Sequence, residues 1–584
     1  MKKILALILA LCMIAAVLSG CGGAAEPAAS AGNAAASAGS AAAVPEEAAP
    51  AEEPAPADAV APAEEVPSVE EAPASAAEEP AEEPIPEELP SLEYPIGDGS
   101  QELTMWYEGD DNESTNNAWL EGIGDTGVNV AISYAPRQSA DDSFNLMVAS
   151  GDYPDIVDNV TDRYPGGGQK AIDDEVVIDL ADLLAECLPD YTNRMNADPE
   201  VAKDLVTDSG AYAAVYQIYD EVREPDAGPV IRKDWLEDLG LDIPETYDEY
   251  EDVLLAFKDA YGISSPILML SDGVPENNYL VAGYGIAGKT AEAGISYMPF
   301  YQVDGEVHYG LIEEGFREYT EMLHRWYDEG LFAVDYATLD NPGRDYLAAT
   351  EQCGIWYSGS MVCGKGAEAG GMWVPDDPYY HVVAIPDAVK EKGDQNHLST
   401  IAKYKTNHSM SITTDASDPE LAAKWLNFWF TDKGSQLANY GVAGEGFDEA
   451  SGGFSELILN NPDGLNYRDC LSAYTVTCVP YYNHVNRDMA TYNSDVVEAS
   501  AIWSSNRDDA YNYPGMATLD SDESAEFAQL YSDLGTVVSE QLPEFVMGVK
   551  DMSEWDGFVQ TLKDMKIERC IELKQSALDR YLER

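Results

Sequence analysis

Val230–Tyr250 reads VIRKDWLEDLGLDIPETYDEY. Its first half, RKDWLEDLG, predicts a short helix stopped at Gly240, where a residue without a Cβ enters the left-handed conformation at little cost. The continuation PETYDEYEDVLLAFKDAYG predicts a second helix. Thr246 and Glu249 have the spacing of a capping box, and Tyr250, Val253, Leu254 and Phe257 share one face. The basic pair Arg232–Lys233 looks at first like an anion site. It stands at the start of a helix beside Asp234, Glu237 and Asp238, so local charge pairing is the better account.

Towards the N-terminus, Glu102–Tyr107 (ELTMWY) predicts a strand, followed by the polar loop EGDDNESTNN and a helix around Ala118–Ile123. VNVAISY predicts a second strand, Ser143–Ser150 a helix stopped by Gly151, and PDIVDN a third strand. Strands alternating with helices imply an α/β lobe with a largely parallel sheet, whose ligands sit at the loops beyond the strand ends. The loops after Tyr107 and Val157 are therefore the first places to look. Towards the C-terminus, FYQVDGEVHYG predicts a hairpin turning at Asp304–Gly305, and EEGFREYTEMLHRWYDEGLF an amphipathic helix closed near Gly330. DPELAAKWLNFWFTDKGSQLANYG predicts a helix from Asp418–Pro419 to Gly434 and a further turn ending at Gly441.

The chain opens with MKKILALILALCMIAAVLSGCGG. Two lysines and a short apolar run end in Leu18-Ser19-Gly20-Cys21, the pattern of a secretion signal with a lipobox, so residues 1–20 are expected to be removed and Cys21 lipidated. No later stretch has the ~18 continuous apolar residues of a spanning helix, which predicts a protein anchored to the outer face of the membrane rather than embedded in it. Residues 21–95 are almost entirely Ala, Pro, Glu, Ser and Gly, a composition that buries no core and predicts a disordered tether. Fully extended, it would reach roughly 200 Å.

The whole chain carries 32 basic and 107 acidic residues, a formal charge of −75. About −60 remains once the tether and signal are set aside, and such a polyanion is repelled by phosphate backbones, which excludes a nucleic-acid partner. Nearly 490 residues beyond the tether exceed one ordinary core, so two lobes are expected. The cysteines show no C-x-x-C pair, which argues against zinc, although Cys353 with Cys363, or Cys470 with Cys478, are spaced for local disulfides. Gly283, Gly285 and Gly288 spell a lone G-x-G-x-x-G that neither follows a clear strand nor opens a capped helix, and it reads as a loop. The six histidines are scattered without H-E-x-x-H, and G-x-S-x-G is absent, so neither metal catalysis nor an esterase finds support.

With the lipobox, the tether, RKDWLEDLGLDIPETYDEY, ASGDYPDIV, DPELAAKWLNFWFTDKGSQLANYGVAGEGF, LILNNPDGLNYRD, FVMGVKDMSEWDGFVQTLKDM and ALDRYLER in this order, the chain resembles the extracellular solute-binding lipoproteins of carbohydrate ABC transporters, of the large two-lobed class. The resemblance covers most of the chain after Tyr94. It implies a periplasmic-binding-protein-like type II fold, two α/β lobes joined by hinge strands that close on a ligand. It places lobe 1 at 96–229 and 401–475, and lobe 2 at 230–400 and 476–584, with crossings near Glu224–Val230, Thr400 and Leu471–Pro480. PDIVDNVTDRYPGG is similar to the sugar-hydroxyl loop of maltodextrin binders, with Asp162–Arg163 as the polar pair. Asn159 stands where those proteins have an aromatic residue, which argues against maltose-like specificity. Some relatives carry a calcium loop after the helix ending near Lys258; this chain runs directly from FKDAYG to ISSPILML, so no metal or other cofactor is expected.

A sugar site needs carboxylates, amides or arginine beside aromatic faces. The candidates at predicted cleft loops are Asp110, Asp111 and Asn112; Asn159, Asp162 and Arg163; Asn277, Asn278 and Tyr279; Trp356, Tyr357 and Ser358; Tyr481 and Tyr482; and Trp503. In so acidic a chain the acids alone also fit solvated loops, and Trp503 fits core packing. Asp162–Arg163 and Trp356–Tyr357 are the favoured contacts. The expected function is a monomeric, non-enzymatic receptor that captures an oligosaccharide and delivers it to an ABC permease. A peptide receptor on the same scaffold, a secreted glycoside hydrolase and a surface adhesin are the alternatives.

Overall fold

The computed structural model describes residues 88–109, 114–222, 225–269, 278–287, 300–339, 341–366, 378–398, 402–461 and 467–584. The signal, Cys21 and most of the tether lie outside these residues. Two sheets organise the chain. The first has six strands in the order β14-β4-β11-β3-β1-β2: β1 Gln101–Glu108, β2 Val128–Ala135, β3 Ile156–Asp158, β4 Val215–Tyr219, β11 Tyr404–Ile412 and β14 Tyr482–Asn483. β1 runs parallel to β2 and β3, as βαβ connections require. β11 enters from the other sheet and runs antiparallel to both β3 and β4, so the sheet is mixed rather than largely parallel as expected.

Alternation along β1 places its two faces. Leu103, Met105 and Tyr107 point into one core with Trp119, Trp425 and Trp429, whereas Trp106 points into another with Phe144, Val157 and Val160. The helix Asn117–Thr126 brings in Trp119, which stacks on Trp429 at 6.0 Å; its Gly122 is required because a Cβ would meet that ring at 2.6 Å.

The second sheet has the order β8-β5-β10-β9, from β5 Ala227–Arg232, β8 Ile355–Gly359, β9 Gly364–Lys365 and β10 His381–Ala384, and all its pairs are antiparallel. Its faces also alternate: Ile231 and Ile355 join a large core completed by Leu534, Trp555 and Leu578, and Val230 and Trp356 join a smaller one with Trp503. β6 Phe300–Val303 and β7 Glu306–Tyr309 form the predicted hairpin, with Asp304 and Gly305 at φ 51° and 85°. A small pair, β12 Phe447–Asp448 and β13 Gly453–Phe454, lies outside both main sheets.

The opening stretch folds as read. Helix Lys233–Leu239 ends at Gly240 (φ 66°), and helix Tyr247–Tyr261 carries the reciprocal Thr246–Glu249 capping box with Tyr250, Val253, Leu254 and Phe257 buried. Arg232 is scaffold: only 2% exposed, it pairs with Asp234 at 2.6 Å and Glu351 at 2.9 Å and lies between the rings of Trp235 and Tyr380.

Three details depart from expectation. The helix from Pro419 stops at Phe428, and a second runs Asp432–Tyr440 behind Thr431, whose side chain accepts from the Gly434 N–H. Gly434 is thus inside the second helix, where a Cβ would lie 2.0 Å from the Phe428 carbonyl oxygen; it permits a close approach rather than ending a helix. Val476, Cys478, Val479 and Tyr481, in the segment expected to begin the return to lobe 2, bury in the core of the first sheet, and Tyr482 and Asn483 pair with β4. The disulfides left open by the cysteine spacing are not formed: Cys353, Cys363, Cys470 and Cys478 are buried thiols, the last two in different core clusters.

Candidate functional site

The C-terminal ends of β1 and β3 lie side by side because these strands pair in parallel, Met105 with Ile156 and Trp106 with Val157. Glu108 ends β1 and Asp158 ends β3. The Glu108 N–H donates to Asp158 Oδ2 at 3.3 Å, and burial pushes the Asp158 carboxyl up to about 7. Asn159 follows in the left-handed region (φ 53°), which short polar side chains tolerate, and turns the chain into the single helical turn Val160–Arg163. Its N–H donates to the Ser409 carbonyl of β11 at 2.9 Å, while its buried side-chain Oδ1 has no partner among the described residues.

That turn brings Arg163 back over the strand ends. One terminal guanidinium nitrogen donates to Glu108 and the other to Asp141 of the helix Ala140–Ser150; its buried Nε has no partner among the described residues. Asp162 is exposed and accepts from Thr406 of β11. Beside them on β11, burial holds the His408 imidazole down to about 4, so it is neutral near pH 7, and its Nε2 donates to the Thr477 carbonyl at 3.0 Å. The Tyr481 ring meets His408 edge-on at 6.3 Å, and its hydroxyl accepts from Asn483 and Arg487, both at 3.2 Å. Tyr482 is half-buried, with the Arg194 guanidinium 4.2 Å above its ring.

A second group gathers where β5 begins. The Ala227 carbonyl accepts from the Tyr357 hydroxyl at 3.3 Å and from Arg507 Nη1 at 3.2 Å. Arg507 is locked by Asp387 through two bonds of 2.6 and 3.2 Å, and this pair is almost wholly buried. Tyr279, also buried, lies 4.9 Å from the Tyr357 ring at a tilt of 36°.

The structure therefore brings Asn159, Asp162 and Arg163 into one cluster, and Tyr279 and Tyr357 into another. Trp356 points away from Tyr357 into the smaller core, as strand alternation dictates, and Ser358 is half-buried beyond it. Trp503 is fully buried and donates its indole N–H to the Pro229 carbonyl at 3.1 Å; Gly228 makes room for its ring. Asp110, Asp111, Asn112 and Asn277, and the side chain of Asn278, lie outside the described residues. Sequence reading missed Glu108, Asp141, Asp158, His408, Asp387 and Arg507. For Glu108 and Asp158 a signal existed, an acid closing each of two strands; for the others partnership arises only from the fold.

Two sheets with separate cores, exchanged by repeated crossings and carrying polar groups at strand ends, define a two-lobed binding protein. The chain belongs to the bacterial extracellular solute-binding protein family, whose profile matches residues 112–436. It is similar to lipoprotein LipO of Bacillus subtilis, 23% identical over 462 residues, 75% of this chain and 84% of that one. It is likewise 23% identical to the fructooligosaccharide ABC transporter substrate-binding protein FusA of Streptococcus pneumoniae over 471 residues, 75% of this chain and 82% of that one. Among solved structures, an HMO-binding, ABC-transporter-associated solute-binding protein of Bifidobacterium longum infantis superposes with a TM-score of 0.67 at 16% identity, over 83% of this chain and 99% of that one. Alginate-binding protein AlgQ2 does so with 0.64 at 21% identity, over 82% and 98%. These likenesses carry the fold.

Proposed function

We propose that the chain is a non-enzymatic receptor that captures an oligosaccharide outside the cell, between its two lobes, and hands it to an ABC permease. The first sheet with residues 96–222 and 402–483 makes lobe 1, and the second sheet with 227–398 and the segment after Asn483 makes lobe 2. The lipid on Cys21 and the acidic tether hold it at the outer face of the membrane as a monomer. The observation that carries the reading is the polar cluster Asp158, Asn159, Asp162 and Arg163 at the strand ends of the first sheet, where open α/β sheets bind ligands. Membership of a solute-binding family and likeness to fructooligosaccharide- and alginate-binding proteins support a saccharide as the solute. Tyr357, partly exposed, supplies a ring face on lobe 2, with the buried Tyr279 ring packed behind it.

Binding drives closure only by a difference in affinity between open and closed forms. Small-angle scattering and thermal shift across a panel of glycans and peptides test the reading. A glycan that compacts and stabilises the protein supports it; stabilisation by peptides alone, or release of reducing ends from a bound glycan, overturns it.

A further inference from the structure

We propose that the Glu108–Arg163–Asp141 clamp makes the lobe 1 site selective for uncharged, hydroxyl-bearing saccharides and closes it to uronic-acid saccharides; this rests on the carbohydrate reading above. An arginine recognises a carboxylate through two parallel N–H donors of its planar fork. In Arg163 each terminal nitrogen already donates one N–H to a carboxylate of the chain, one to Glu108 and one to Asp141, so both ends of the fork face an acid. The guanidinium is sequestered too: its side chain is 13% exposed and that of Glu108 is 23% exposed, so Glu108 is the partner that is not readily displaced, whereas Asp141, 86% exposed, closes the outer side of the fork. A ligand carboxylate arriving here would meet Glu108, Asp141, Asp162 and the buried Asp158 before it met a free donor pair.

The other cations in electrostatic reach, Arg137 on Asp158 and His408 and Lys405 on His408, are not free either. What the cluster leaves unmet is of both signs. Among the described residues Arg163 Nε is a buried donor without an acceptor, and Asn159 Oδ1, in a residue only 8% exposed, is a buried acceptor without a donor. A hydroxyl group gives and accepts and can answer either atom. A carboxylate only accepts, and would leave the Asn159 oxygen unmet while adding like charge beside Glu108, Asp141 and Asp162.

Calorimetry on the mature chain tests this with a panel of uncharged tri- to pentasaccharides against oligogalacturonates and oligomannuronates of the same lengths. The expected result is a best uncharged ligand bound about a hundredfold more tightly than any uronate, a preference that survives raised salt because the Arg163–Glu108 pair is mostly shielded from solvent. Glu108→Gln and Asp141→Asn together release the guanidinium fork and should raise uronate affinity about tenfold. A merely structural role would instead weaken every ligand. Uronates bound as tightly as uncharged glycans by the unaltered chain, or no gain in the double variant, overturns the charge inference while the carbohydrate reading stands. If no glycan of either kind binds, both fall.

Discussion

Arg507→Met isolates the ion pair on which the start of the second sheet depends. Arg507 and Asp387 are 1% and 0% exposed, and the guanidinium also donates to Ala227, the first residue of β5. Removing one member of a buried pair ordinarily costs ~3–5 kcal/mol, because the other charge is left unpaired. Burial already pushes the Asp387 carboxyl up, with Arg507 the main group opposing it, so in the variant Asp387 takes a proton instead of remaining charged. That relief places the cost near the lower end, ~3 kcal/mol, together with the orphaning of one buried carbonyl contact. Urea unfolding followed by circular dichroism, with the m-value checked for constancy, reads the change as a lowered midpoint. Asp387→Leu combined with Arg507→Met removes both charges and should recover most of the loss. A single variant within ~1 kcal/mol of the parent, or a double variant worse than either single one, would refute the assignment of this pair as a structural tie.

Asp158 should leave a pH signature. Its carboxyl ionises near 3.8 in an ordinary setting and near 7 when folded, so across that interval the folded form holds a proton the unfolded chain has lost. Stability therefore falls as pH rises through this window and levels off above it, by up to ~4 kcal/mol; comparing urea midpoints of the parent and Asp158→Asn should show the slope flattened in the variant. Thr246→Ala removes the side-chain acceptor of the Glu249 N–H and should lower stability by ~1 kcal/mol in the same assay. Gly434→Ala drives a Cβ against the Phe428 carbonyl oxygen and should cost roughly 1–3 kcal/mol or more, where an ordinary helix position would gain from alanine.

What the sequence makes legible is local. Thr246 and Glu249 act within one turn, Gly151 and Gly240 end their helices by their own backbone freedom, and Asp304–Gly305 turns a hairpin alone. The stop at Phe428 was not legible, because the reason Gly434 is a glycine is contact with a preceding carbonyl, not helix termination. The antiparallel entry of β11 was not legible either, since it depends on the chain returning from the other sheet. At the site, Asp162–Arg163 was found by its sequence pattern, but its meaning depends on Glu108, 55 residues away, and Asp141, 22 residues away. Trp356 and Tyr357 were read together, and strand alternation separates them into a core residue and a partly exposed one.

The charge balance explains why a basic residue in this chain is a poor guide to an anion site. With 107 acids to 32 bases, nearly any cation brought into the fold meets carboxylates. Arg232 holds Asp234 and Glu351, Arg163 holds Glu108 and Asp141, and Arg507 holds Asp387. In each case the guanidinium fork ties segments far apart in sequence, and its fixed geometry sets their register. Cations used in this way are no longer available to a charged ligand. On the proposed reading, recognition passes to the groups such ties leave over: hydroxyls, amides, a buried neutral imidazole and tyrosine rings. Those are the groups that suit a polyhydroxylated, uncharged solute, so the excess of acid in the sequence and the chemistry of the lobe 1 strand ends point to the same kind of ligand.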